Sequence, residues 1–252
     1  MRRSILTGLA MITGLTAAVL ALPAQAQGLG NGWSGQFTLY GWIPSISGSQ
    51  QGRDGEPLID LDSQSILSAL DGAFMGAAEF RKDKFTLLLD AVYADLSADG
   101  NWVQDRVKTS AGTQLGVYTV AAAYRVYELD RRAVDLYAGS RFFDTSLSFG
   151  IATDNRGVSR DADLSWADPI VGIRGTLPLS EKWSLSGFAD VGGFDADTDM
   201  SWELFGAANY AFADRWAGVL GYRYMSILYE ASDRAKLDLA VQGPVIGVTY
   251  KF

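Results

Sequence analysis

The residues able to do chemistry in this chain are carboxylates and guanidinium groups. It carries 29 Asp and Glu against 21 Lys and Arg, with no His and no Cys. Without imidazole there is no nucleophile–base triad of the Ser–His–Asp kind, and without thiols there is no disulfide framework, thiolate zinc site or lipid-anchored Cys. Carboxylates alone can still relay protons, cleave glycosidic bonds in pairs, bridge to arginines or hold calcium. A sugar cleft would need more than the scattered aromatics present. Asp195, Asp197 and Asp199 alternate as in a calcium loop but lack the Gly and the closing bidentate Glu. Any divalent cation at the loops is therefore expected to be held loosely, not at a specific metal site. Gly28-Leu29-Gly30-Asn31-Gly32 precedes no helix, which argues against a phosphate-binding loop. The expected reading is not an enzyme, with no cofactor. A net charge of −8 also makes nucleic acid a poor partner.

Most of the remaining chain charges make sense only on strands. Glu79, Asp90, Asp135, Asp168, Asp190 and Glu203, with Arg81, Arg125, Arg141, Arg174, Arg223 and Lys251, all fall on the parity opposite to the large apolar residues around them. Six carboxylates face six cations. Such a set predicts a charge-balanced interior, either a salt-bridged plug or a narrow polar pore with a charged constriction. Counted from the nearest turns, Asp90, Arg141, Asp190 and Arg223 share one middle layer.

The elements that would hold these residues have a period of two. Residues 1–26 read as a cleaved signal peptide: Arg2 and Arg3, an apolar stretch from Ile5 to Leu22, then Ala24-Gln25-Ala26. Its removal leaves a net charge of −10. Residues 27–32 form a flexible leader. From 33 to 252 the chain alternates, as in Gly247-Val248-Thr249-Tyr250-Lys251-Phe252, and ten segments stand out: 33–44, 72–82, 84–97, 111–127, 133–148, 164–178, 182–193, 199–213, 215–229 and 236–252. Short connections at Lys82-Asp83-Lys84, Glu128 to Arg132, Ser180-Glu181 and Asp214 alternate with longer ones rich in Gly, Asp, Ser and Asn, which together carry −9 of the charge. This is the arrangement of a transmembrane antiparallel up-and-down β-barrel of the bacterial outer membrane, with short turns periplasmic and long loops outside. Ten strands are expected, eight if two short segments are loop.

Aromatic placement supports the same arrangement. Phe80, Phe85, Tyr124, Trp183, Tyr210, Phe212, Trp216, Tyr250 and Phe252 cluster near one rim, and Phe74, Tyr93, Tyr118, Phe142, Trp202 and Tyr224 near the other. Aliphatic residues such as Leu87, Val120, Leu136, Leu204 and Leu220 lie between, giving two girdles around an apolar band. In the first long connection, 45–71, Asp62 or Ser63 caps a two-turn helix whose Ile66, Leu67 and Leu70 are expected to share one face and pack into the barrel mouth as a lid.

The segments Trp166-Ala167-Asp168-Pro169-Ile170-Val171-Gly172-Ile173-Arg174-Gly175, Asp190-Val191-Gly192-Gly193-Phe194, Leu220-Gly221-Tyr222-Arg223-Tyr224 and Gln242-Gly243-Pro244-Val245-Ile246-Gly247 resemble a family of small proteobacterial outer-membrane β-barrel proteins of unassigned activity. Leu39 to Pro44 and Leu70 to Ala77 are similar to its N-terminal half. A more distant likeness to OmpA-type and OmpW-type barrels is architectural. The ending Gly247, Tyr250, Phe252 is similar to the signal read by the barrel-assembly machinery, with Val245 where that signal has a polar residue. The resemblance implies outer-membrane lipid and lipopolysaccharide as surroundings and the assembly machinery as a partner in biogenesis. Two functions remain open: a structural or surface-interaction barrel working through acidic loops, or a narrow passive pore for ions or small solutes.

Overall fold

The computed structural model describes residues 32–51, 57–102, 107–153, 156–194, 198, 200–232 and 235–252. The expected signal peptide and almost all of the leader lie outside these residues, as do Asp195, Asp197 and Asp199. Twelve strands and one helix follow in order: β1 Trp33–Trp42, β2 Ser45–Gln51, β3 Pro57–Leu61, α1 Ser63–Ala69, β4 Leu70–Lys82, β5 Phe85–Trp102, β6 Val107–Leu129, β7 Arg132–Thr153, β8 Arg156–Pro178, β9 Trp183–Gly193, β10 Met200–Ala211, β11 Trp216–Ser232 and β12 Ala235–Lys251. Ten of them, β1 and β4 to β12, close a barrel of antiparallel neighbours. Closure is made by β1 on β12, from Gln36 opposite Lys251 to Trp42 opposite Val245.

Alternation explains why these segments are strands and which way they face. Outward positions hold large exposed apolar residues, among them Leu87, Val120, Leu136, Leu204 and Leu220, with Phe85, Trp183 and Trp216 toward the short-turn rim and Phe74, Phe142 and Trp202 toward the other. The barrel turns its greasy side out. One break in the alternation is a bulge between Arg125 and Tyr127, which leaves Val126 and Tyr127 both exposed. The β6–β7 turn is a two-residue hairpin loop with both Asp130 (φ 47°) and Arg131 (φ 67°) left-handed, the primed geometry whose twist matches paired strands.

Three of the long connections differ from the expected loops. Strands β5 and β6 stay paired up to Trp102 opposite Val107, and β7 and β8 up to Thr153 opposite Arg156, so 98–110 and 149–163 are largely wall extension. Likewise 45–71 begins with β2, which runs on along β12, and β3, which folds back onto β2. Polar two-faced residues can form a ladder where no apolar face has to be buried, and hydropathy alone reads such strands as loop.

Candidate functional site

Inside the barrel the charged side chains assemble in two layers. In the layer toward the long hairpins, Glu203 of β10 lies between two arginines. Its Oε1 accepts from Arg223 Nε of β11, and its Oε2 pairs with Arg141 Nη2 of β7 at 2.5 Å. Arg141 Nη2 also donates to Asp190 Oδ2 of β9 at 2.9 Å, and Tyr137 OH donates to the same oxygen at 2.7 Å. On the other side Arg223 Nη2 reaches Asp90 Oδ1 of β5 at 3.0 Å, while Arg223 Nη1 donates to Tyr40 OH at 2.9 Å and Tyr40 OH in turn donates to Asp90 Oδ2 at 2.7 Å. The result is one chain of ion pairs, Asp90–Arg223–Glu203–Arg141–Asp190, spanning from wall to wall. Side-chain exposure is 0% for Glu203, 1% for Arg141 and 5% for Arg223, so the middle of this chain is dry. Buried charges are tolerated only when paired in this way.

The second layer lies toward the short turns. Asp135 accepts from Arg125 Nε at 2.7 Å and Arg81 Nη2 at 3.1 Å, with Arg174 Nε at 3.6 Å. Arg174 Nη2 also donates to Glu79 Oε2 at 2.7 Å, and Arg125 Nη1 to the exposed Glu128 at 3.1 Å. Both layers border a cavity of about 210 Å³, whose lining includes Tyr40, Arg141, Arg174, Phe205 and Thr249. At about 30 Å³ per water it has room for several solvent molecules.

Ten of the twelve residues expected to line the lumen meet in these layers. Asp168 does not join an ion pair among the described residues. It is fully buried, and its Oδ2 accepts from the hydroxyls of Thr198 at 2.6 Å and Ser201 at 3.3 Å. Lys251 is exposed at the rim and joins no ion pair among the described residues. The expected balance holds only across the two layers: the upper one has three carboxylates and two arginines, the lower two carboxylates, Asp135 and Glu79, and three arginines, while Glu128 pairs with Arg125 at the exposed periphery. Of the expected middle layer, Arg141 pairs with Asp190 and Arg223 with Asp90, but Glu203 is the bridge between those pairs. Tyr40 and Tyr137 lie on the same inward parity as these charges, and their hydroxyls, invisible to a pattern of charges alone, complete the network.

The expected lid differs too. Asp62 caps α1, its Oδ1 accepting from the Ser65 amide at 2.7 Å, and Ile66 is buried, but Leu67 is 48% exposed. Adjacent residues on a helix point about 100° apart, and here only Ile66 is turned inward while Leu67 faces out. Leu70 is extended and begins β4. Gly247 and Tyr250 sit on the closure strand and Phe252 directly follows it: Phe252 stacks on Phe37 at 5.1 Å and the Tyr250 ring lies tilted against Trp216 at 4.9 Å, while a Cβ on Gly247 would meet the Leu39 carbonyl at 2.8 Å.

No protein-family model matches this chain, and no curated protein matches it in sequence. Among solved structures, the outer membrane protease OmpT of Escherichia coli superposes with a TM-score of 0.59 at 9% identity, covering 87% of this chain and 97% of that one. The translocator domain of the autotransporter NalP from Neisseria meningitidis gives 0.44 at 13% identity, covering 94% and 93%, and Neisserial surface protein A gives 0.37 at 14% identity, covering 88% and 98%. At these identities the likeness is one of fold: a closed ten-stranded antiparallel barrel with one short helix, of the outer-membrane type.

Proposed function

We propose that this protein is an integral outer-membrane barrel, closed along its axis by the Arg141–Glu203–Arg223 bridge, that acts through the hairpins extending its wall outside the cell. The observation that carries this reading is the dryness of that bridge, 1%, 0% and 5% exposed at the side chains. Ions crossing the lumen would have to break it, and an interior of ten strands leaves little space beside it, since wide aqueous channels come with sixteen strands or more. Lipopolysaccharide would surround the outer half, with divalent cations between its phosphates and the acidic connections. The C-terminal Gly247, Tyr250 and Phe252 would serve assembly.

A second reading, a narrow pore, is favoured by the solvent-sized cavity below the bridge and by Asp90, whose side chain is 23% exposed. Recording in planar bilayers separates the two. A sealed barrel gives no steady openings. Steady openings whose cation preference changes in Arg223→Ala, with unfolding unaltered, would make the pore the function instead.

A further inference from the structure

Between β1 and β4 the barrel wall is not hydrogen-bonded along its full height. Strand β1 pairs with β4 from Trp33 opposite Lys82 up to Leu39 opposite Gly76, and no further. Above that point Tyr40 to Trp42 pair with β12 alone, the chain bends at Ile43 and Pro44, and β2 continues along β12 instead of returning to β4. Gly243 permits the bend, because a Cβ there would lie 2.1 Å from the Ile43 carbonyl oxygen. Over the same height, Leu70 to Met75 of β4 pair only with β5. Two strand edges thus face each other without a ladder. The Trp42 amide marks the gap: it donates to the Met75 thioether at 3.1 Å, a weak acceptor where a continuous sheet would supply a carbonyl. Exposed backbone edges are not left open to lipid, so the seam requires cover.

What covers it is apolar and uncharged. Helix α1 joins β3 to β4 across the gap and packs against β2 and β5; its sequence Ser63-Gln64-Ser65-Ile66-Leu67-Ser68-Ala69 contains no charge. Behind the seam Trp42, Met75, Val92 and Val245 form a buried cluster. Trp42 is buried, with 7% of the residue exposed, and its indole N–H finds no acceptor among the described residues. In front, the lipid-facing wall continues into the seam through Leu39 (58% exposed) and Phe74 (53%), and added Cβ atoms on Gly41 and Gly72 would touch nothing. Around α1 stand the exposed Asp60, Asp62 and Asp71.

We propose that this seam is a lateral port which takes the alkyl chain of a single-chain amphiphile from the outer leaflet, with an uncharged or cationic head group, between β1 and β4 and against Trp42 and Met75. The chain replaces lipid contact with the apolar cluster, an ether or ester oxygen at its head accepts from the orphaned Trp42 indole, and the three aspartates repel an anionic head. Entry is from the side, so the port is independent of whether the axial lumen conducts.

The test uses the full mature protein refolded into zwitterionic lipid vesicles and three chain-brominated probes: dodecyl maltoside, dodecyltrimethylammonium and dodecyl sulfate. The emission of Trp42 is the difference between wild type and Trp42→Phe; that of the outward-facing Trp202, from Trp202→Phe, calibrates contact with lipid. The maltoside, whose ether oxygen can accept from the indole, is expected to quench Trp42 as strongly as Trp202, the ammonium probe, which has no acceptor, less, and the sulfate several-fold less than the maltoside. Gly41→Leu combined with Gly72→Leu, which crowds the mouth on its lipid side, is expected to abolish Trp42 quenching and spare that of Trp202, while Ile66→Ser, which loosens α1, accelerates it. Trp42 unquenched by all three probes, in protein whose Trp202 is quenched normally, overturns the port. Equal quenching by the sulfate overturns the head-group assignment. Bilayer conductance is scored separately, so failure here leaves the sealed-lumen reading standing, and the reverse.

Discussion

At the scale of the residue, the lumen is governed by the cost of a charge without a partner. Arg223 is held by Glu203, Asp90 and Tyr40, and its guanidinium also stacks over the Trp42 ring at 5.0 Å. Arg223→Ala leaves Glu203 with Arg141 alone in a dry site, and breaking such a pair typically costs about 3–5 kcal/mol. A urea melt in lipid should therefore shift clearly toward lower midpoint. Glu203→Ala in the Arg223→Ala background should recover part of that loss, because the two effects share one interaction and are not additive. Additive losses would mean that the bridge is wet and its members independent. Outside the wall, the Asp62 carboxyl is held below the usual carboxylate range by the Ser65 amide that it accepts. A depressed folded value means that the cap is present above the unfolded value of about 3.9 and is lost as pH falls through the folded one. NMR of the α1 amides should show the Ser65 signal moving with acid in wild type and remaining fixed in Asp62→Asn, whose amide oxygen accepts at any pH.

At the scale of the element, turn chemistry and strand length do separate work. The Asp130–Arg131 turn and the bulge at Val126 together set the register that places Arg125 opposite Asp135, yet Arg131 at φ 67° holds an L side chain where glycine is unstrained. Arg131→Gly should stabilise the barrel by roughly 1 kcal/mol, read as a higher urea midpoint with unchanged slope, since the left-handed conformation costs that order for residues with a Cβ. The hairpins β5–β6 and β7–β8 carry on past the apolar band with paired backbones. Their ladders make the outer surface a rim of strands in place of slack loops.

At the scale of the whole molecule, closure depends on β1 meeting β12 at the end of the chain. Phe252 exchanges both backbone bonds with Gly35 at 3.0 Å and lies under it so tightly that a Cβ on Gly35 would meet its ring at 2.5 Å. Deleting Phe252 removes the last pairing and the aromatic contacts with Phe37 and Phe80. The truncated protein should lose most of its heat-modifiable gel form when expressed in cells, while refolding from denaturant into detergent is reduced less. Equal loss in both settings would point to barrel stability alone, with no part in assembly.

Architecture was legible in the sequence because strand parity is local information. A residue's face follows from its distance along the chain to the nearest turn, so Glu79, Arg81 and Glu203 could be placed inside, and Leu87 and Leu220 outside, from alternation alone. Short turns and the even strand count follow in the same way. Partner choice was not legible. Which carboxylate bridges which arginines depends on shear and tilt, which bring β10 across from β7 and next to β11 and so set Glu203, not Asp190, at the centre. The same geometry carries Asp168 to Thr198 and Ser201 and leaves Lys251 at the rim. The hairpin extensions and the β1–β4 seam were also invisible, for two reasons: a polar ladder outside the apolar band carries no hydropathy signal, and an unpaired edge is defined by where the neighbouring strand goes, which only the closed barrel decides.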